Sequence, residues 1–434
     1  MRTVAKIWMV AATIGMAAPA SSQLLGGGGL GGGQLGGLTG NLLGRSGNSQ
    51  GSVVGSVEEP LMTVGDTLRA TSPTNLLSLR RARIATLVHD NRNALDVDDQ
   101  GNPVRRGEIV GLGLSPDTIA KATAAGFGVA RTEVVDGLNL TATVLTPPKG
   151  NPVRKAIKTL RGLALGSTFT LDHIYEPARA PLAPTGGPVA GGGAPLLGAR
   201  IGLIDGGVGD HPAFTGAHIE QRGFAGDPRP SGHGTAVASL MVGRAGAFHG
   251  AAPGAPLLVA DVYGGSAANG SAIAIVRAMG WLAASGARVI NISLVGPPNP
   301  LLEAGVKTLL AKGILVVAAI GNDGPASPPQ YPASYPGVIA VTGVDAKGRA
   351  LIEAGKPLHL DFAAPGADMA GAVPGGGWES LRGTSFAAPL VTASLARLGS
   401  VQALAAEAQP GSGRVGRGIV CGGCRTPPQS VGAK

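Results

Sequence analysis

Between residues 199 and 398, short apolar runs alternate with longer stretches in which apolar residues return every three or four positions. The runs at 200–204, 257–262, 289–294, 314–319 and 338–343 are almost continuously apolar and predict strands buried on both faces. The stretches at 235–243, 271–284, 301–311 and 384–398 carry the helical spacing. Strands of this kind in alternation with helices predict an α/β fold, a parallel sheet flanked by helices. Residues at strand ends and helix starts would then meet along one rim of the sheet.

Upstream, residues 75–177 follow another rhythm. A helix is predicted from 76 to about 90, and a strand at 108–114. Ser115-Pro116 supplies a cap and a first-turn proline for a helix to about 125. Strands at 128–134 and 138–145 flank Asp136-Gly137, a strong hairpin signal. Asn151-Pro152 repeats the cap logic ahead of Val153, Ala156, Ile157 and Leu160, which share one helical face. A last strand at 168–175 completes a β-α-β-β-α-β order, that of a small α+β ferredoxin-like domain.

The remaining segments have little pattern to bury. Residues 1–23 place Arg2 and Lys6 before an apolar run that ends in Ala18-Pro19-Ala20, the layout of a Sec-type secretory signal peptide. That run is too short to span a membrane. Export is therefore expected, to the periplasm or the medium for a bacterial source, with no stable membrane span. Residues 24–74 begin with a glycine-rich stretch that reads as a flexible tether. Residues 178–198, rich in proline, alanine and glycine, read as exposed backbone suited to processing, with a cut expected between Tyr175 and Pro195. Residues 401–434 form a glycine-rich tail that holds Cys421 and Cys424.

Composition changes this picture modestly. Aromatic residues are 3% of the 434 while glycine numbers 73, so cores must be built from Ala, Val, Leu and Ile. The net charge of +9 is spread along the chain. Without a basic stripe or interleaved aromatics it gives no support to nucleic-acid binding.

Candidate chemistry centres on Ser385 in Gly383-Thr384-Ser385, placed at the first turn of the 384–398 helix. Free N–H groups there favour negative charge on an attacked carbonyl oxygen. A hydroxyl nucleophile needs a base and the base an orienting carboxylate. His233 in Ser231-Gly232-His233-Gly234-Thr235 and Asp205 at the end of the 200–204 run are the candidates, and Asn322 after the 314–319 run can donate an amide N–H. The four motifs, in this order along the chain, resemble those of the subtilisin-like serine peptidases, the subtilases. The likeness covers about residues 199–398 and takes in Tyr331-Pro332-Ala333-Ser334 and Ile290-Asn291-Ile292-Ser293.

The resemblance implies a serine endopeptidase acting on proteins or peptides through Asp205, His233 and Ser385, with Asn322 and the Ser385 N–H as oxyanion donors. It also implies that 75–177 is a propeptide that chaperones and inhibits its own enzyme, and that the mature enzyme is a monomer. Ser293, Leu294, Val295, Gly296 and Gly321 would line the substrate cleft. Val295 stands where the family commonly has glycine, and Ile320 where alanine is frequent, so a pocket narrowed to small side chains is expected. No cofactor is required. Calcium, held partly by backbone carbonyls in many subtilases, is compatible with the sequence, although no acidic loop of calcium-binding spacing occurs. For Cys421 and Cys424 a local disulfide is the expectation, with metal binding or thiol exchange as alternatives. Two other classes remain: a binding protein that keeps the fold without turnover, and a thiol–disulfide protein centred on the tail.

Overall fold

A computed structural model describes residues 72–178 and 199–433. The signal-peptide and tether readings and most of the processing segment lie outside the described residues.

The first described segment opens with α1 (Pro73–Asp90), capped by Ser72, whose hydroxyl accepts from the Asn75 N–H. Then follow β1 (Leu95–Val97), β2 (Pro103–Leu112), α2 (Pro116–Ala124), β3 (Gly128–Val135), β4 (Leu140–Thr146), α3 (Val153–Leu163) and β5 (Thr168–His173). They form one antiparallel sheet in which β2 pairs with β5 on one side and with β1 and β4 on the other, and β3 lies beyond β4. Val153, Ala156, Ile157 and Leu160 of α3 are buried against Ile109, Phe169 and Leu171, as their spacing predicts. The cap at this helix differs from expectation. Pro152, not Asn151, holds the cap position, with φ −63° and ψ 144° and no side-chain hydrogen bond. Proline's fixed φ suits extended backbone as well as a first helical turn, and ψ 144° leaves Pro152 extended, so the helix begins at Val153.

The second segment holds β7 (Arg200–Asp205), β8 (Ile219–Gly223), α4 (Gly232–Val242), the short pair β9 (Arg244–Ala245) and β10 (Phe248–His249), β11 (Leu257–Asp261), α5 (Ala272–Ala284), β12 (Ala287–Ile292), β13 (Leu294–Val295), α6 (Pro300–Ala311), β14 (Leu315–Ala319), β15 (Ile339–Val344), β16 (Phe362–Pro365), the hairpin β17 (Ala367–Ala372) and β18 (Trp378–Arg382), α7 (Thr384–Leu398) and α8 (Val401–Glu407). Between the two segments in sequence lies β6 (Glu176–Pro177), which pairs with β13. The main sheet has seven parallel strands in the order β16-β15-β14-β12-β7-β11-β8. Five of these are the apolar runs of the sequence, and β8 and β16 extend the sheet at its two edges.

Alternate residues of each strand serve opposite faces. Ile204, Ile290 and Val316 join α5 and α6 in one buried cluster, while Ile201, Leu203 and Val317 join α4 and α7 in another. The outer face of the first segment's sheet completes the first cluster, with Val110, Leu138 and Val144 packed there. At this boundary Asp172, 1% exposed, accepts a hydrogen bond from the Ile273 N–H in the first turn of α5 at 3.0 Å. Burial pushes its carboxyl up to about 6, with the Ile273 N–H pulling the other way. Because the folded value lies above the ordinary one, Asp172 adds stability at low pH that is lost as pH rises from about 4 to about 6, roughly 3 kcal/mol over that window. Asp172→Asn keeps the acceptor and removes the charge, so its urea unfolding should lose that pH dependence and show a gain above pH ~6. An unchanged pH profile in the variant would refute the assignment.

The tail is ordered. Ile419 exchanges backbone hydrogen bonds with Gln409, and the chain on either side of Ile419 bonds to Ala363 in β16. Cys421 and Cys424 are joined by a disulfide. Among the described residues no helix is long and apolar enough to cross a membrane.

Candidate active site

Strand order reverses beside β7: β11 and β8 lie to one side of it, β12 and β14 to the other. A crevice opens at the carboxyl ends of strands at such a point, and Asp205 is the residue that ends β7. Facing it is His233 in the first turn of α4, a helix capped by Ser231 through the Gly234 N–H at 2.9 Å. His233 Nδ1 lies 2.9 and 2.8 Å from the two Asp205 carboxylate oxygens, and both side chains are buried. An ionised carboxylate only accepts, so Nδ1 carries the proton. Nε2 is buried and has no hydrogen-bond partner among the described residues.

Ser385 enters on α7. Its helix starts at Gly383, with φ 144°, a conformation that a side chain would strain. No side chain of the cap residue satisfies the first donors. Instead the Thr384 N–H donates to Asn322 Oδ1 at 3.0 Å, and the Thr384 hydroxyl accepts from the Gly321 N–H at 3.1 Å. The 321–322 turn is thereby locked to the start of α7. Ser293 adds a second lock, its hydroxyl donating to the Ser385 carbonyl at 2.8 Å. Ser293 thus orients the Ser385 turn through its side chain and offers its backbone to the cleft.

The cleft is filled by residues 175–178. Leu294 and Val295 pair antiparallel with Pro177 and Glu176, and the Ala178 N–H donates to the Ser293 carbonyl at 3.1 Å. Asn322 Nδ2 and Ser385 Oγ both donate to the Ala178 carbonyl oxygen, each at 2.5 Å. The expectation of exposed backbone from residue 178 fails at Ala178, which is buried: β6 is an added strand, because the free strand edge at β13 satisfies its backbone, and Ala178 continues from it into the cleft. Ala178 packs in the same cluster as Val295 and Phe386. Ile320, expected to crowd this pocket, packs in the cluster that holds Tyr175 and Leu294 and not in the one that holds Ala178 and Val295.

Tyr175 fills the next deep pocket and is 0% exposed. Its hydroxyl donates to the Pro297 carbonyl at 2.7 Å, and its own carbonyl accepts from the Tyr263 hydroxyl at 2.8 Å. Burial raises the phenol well above its ordinary range. A Cβ on Gly296 would lie 2.5 Å from the ring, so this position must stay bare. On the rim, Arg83 of α1 bonds both Glu176 and Asp323, and Arg80 bonds Asp323. Tyr175, Ala178, Asp323 and the two arginines had no signal of their own in sequence; only their place in the cleft marks them. Among the described residues no group of three or more His, Cys, Asp or Glu converges as a metal cluster would.

Residues 198–409 match the Subtilase family model for peptidase S8. The chain is 34% identical over 207 residues to Subtilisin Savinase of Lederbergia lenta, covering 45% of this chain and 74% of that protein. It belongs to the subtilase family. By class this subtilase is a serine-type endopeptidase. It shares the same 34% identity with an alkaline protease of Alkalihalobacillus alcalophilus, of which it spans only 53%. Among solved structures, fervidolysin from Fervidobacterium pennivorans has the same fold, with a TM-score of 0.62 at 20% identity over 75% of this chain and 62% of that one.

Proposed function

We propose that this subtilase is an exported endopeptidase made as a zymogen, and that its first substrate is its own Ala178–Arg179 bond. The observation that carries the reading is the Ala178 carbonyl oxygen, held jointly by Ser385 Oγ and Asn322 Nδ2. Asn322 Nδ2 is the kind of donor that stabilises the oxygen of an attacked carbonyl, and the Ser385 contact brings the nucleophile beside that same carbonyl. In the reaction, Ser385 Oγ bonds to the Ala178 carbonyl carbon while its proton passes to His233 Nε2, the ring nitrogen left free by the Asp205 contact. Asp205 holds the tautomer and stabilises the imidazolium. Asn322 and the Ser385 N–H hold the oxyanion, one such donor being worth about 2.7–4 kcal/mol. His233 then protonates the Arg179 nitrogen as the peptide bond breaks, and water, deprotonated by His233, releases Ala178 as a carboxylate.

Residues 72–178 then act as the propeptide, their last strand left in the cleft as product. The layout of residues 1–23 supports export, and the methyl of Ala178 beside Val295 supports a preference for small residues ahead of the cut. Calcium enters no step. Sequencing the amino terminus of the secreted protein should give Arg179, and a fluorophosphonate should label Ser385. An amino terminus upstream of residue 170, or no labelling, would overturn the reading.

A further inference from the structure

The acidic rim beside the cleft is neutralised from within the segment that the cut releases. Asp323 adjoins the oxyanion residue Asn322, and its side chain is 9% exposed. Its two oxygens take Arg80 Nε at 3.2 Å and Arg83 Nη2 at 3.1 Å. Both arginines belong to α1. Arg83 also bonds Glu176 through Nε at 3.2 Å and Nη2 at 3.4 Å. Among the described residues Glu176 has no other charged partner. The third residue ahead of Ala178–Arg179, counting Ala178 as the first, is therefore an acid tolerated in the cleft because its own segment brings the cation that separates it from Asp323.

Once residues 72–178 leave, both guanidiniums leave with them, and the catalytic segment presents an uncompensated carboxylate at this rim. We infer that Asp323 makes the mature enzyme select a basic side chain at the third position ahead of the scissile bond. The inference rests on the peptidase reading and the assigned cut. The span between the Glu176 carboxylate and Asp323 is one guanidinium wide, and arginine or lysine, longer than glutamate, crosses it from the substrate strand. An arginine there takes the place that Arg83 holds in the zymogen. A glutamate there meets Asp323 with no cation between them, and like charges in a partly dry site repel.

The test uses matured enzyme and three chromogenic peptides, Tyr-Xaa-Pro-Ala with Xaa arginine, alanine or glutamate. At low salt kcat/KM should fall in that order, with roughly tenfold between arginine and glutamate, and high salt should compress the range. Asp323→Asn should bring the arginine-to-glutamate ratio to within about twofold. A parent ratio near one, or a ratio unmoved by Asp323→Asn, would overturn the inference while leaving the peptidase reading intact. If none of the three peptides is cut, it is the peptidase reading that fails, and the charge argument is then decided without turnover. In the full chain carrying Ser385→Ala, Arg83→Ala should lower the melting temperature, and adding Glu176→Arg should restore it by direct contact with Asp323. Absence of that rescue would refute the inference.

Discussion

A chain carrying Ser385→Ala should stay uncut after residue 178 and show no measurable peptidase turnover. The parent, followed by mass spectrometry under the same conditions, should shed everything up to Ala178. Removing the corresponding nucleophile from subtilisin costs about a millionfold in turnover, and nothing in the cleft offers this subtilase a substitute. Ser385 is fully buried, yet its hydroxyl bonds only the carbonyl to be attacked, while the Ser293 contact falls on its backbone. Loss of the hydroxyl should thus change stability by no more than about 1 kcal/mol. The variant should fold, and its uncut state will report chemistry, not misfolding. Cleavage of the variant at the parent's rate would show that another protease does the processing.

Tyr175→Ala should cost the uncut chain about 3–5 kcal/mol, the range for deleting a large aromatic from a packed site. The ring lies against Gly296, and three hydrogen bonds converge on the residue: its hydroxyl to Pro297, its carbonyl from Tyr263, and its N–H to the Gly270 carbonyl at 2.7 Å. Tyr175→Phe retains the ring and strands only the Pro297 carbonyl, a loss of about 1–3 kcal/mol. Urea unfolding in the Ser385→Ala background separates the two. Equal losses would mean that the hydroxyl contact with Pro297, and not burial of the ring, carries the cost.

How far the sequence reveals this molecule depends on which physical signal each part leaves. Ile201–Ile204 and Val316–Ala319 are legible as strands because both faces are buried and every position is apolar. Ile219–Gly223 is not, since an edge strand exposes Glu220, Gln221 and Arg222 and shows no apolar run. Phe362–Pro365 and Ala367–Ala372 are hidden for another reason: alanine and glycine fill tight spaces without a periodic signature. Ser115-Pro116 announces α2 through its cap, whereas Asn151 misleads because Pro152 is itself extended and the helix begins one residue later. Asp205, His233, Asn322 and Ser385 stand out as motifs since each lies at a strand end or helix start, where local geometry constrains its neighbours. The proposed cut is invisible along the chain. Nothing about Ala178 distinguishes it from the alanines that follow, and its place opposite Ser385 comes from pairing between β6 and β13.

A parallel sheet of seven strands has two borders, and each is an open row of hydrogen-bonding groups that can recruit another polypeptide. At β8 the row is guarded by Glu220 and Arg222, charges that a docking strand would have to bury. At β16 no charged side chain from the strand stands guard: Phe362, Ala363, Ala364 and Pro365 are all buried apolar residues. The tail supplies what they lack. The Ala363 N–H donates to the Gly418 carbonyl at 2.9 Å and the Ala363 carbonyl accepts from the Val420 N–H at 2.7 Å, with the disulfide-closed turn immediately beyond. Residues far from any chemistry thus work as insulation, so that an enzyme dispersed among other proteins does not template its own aggregation.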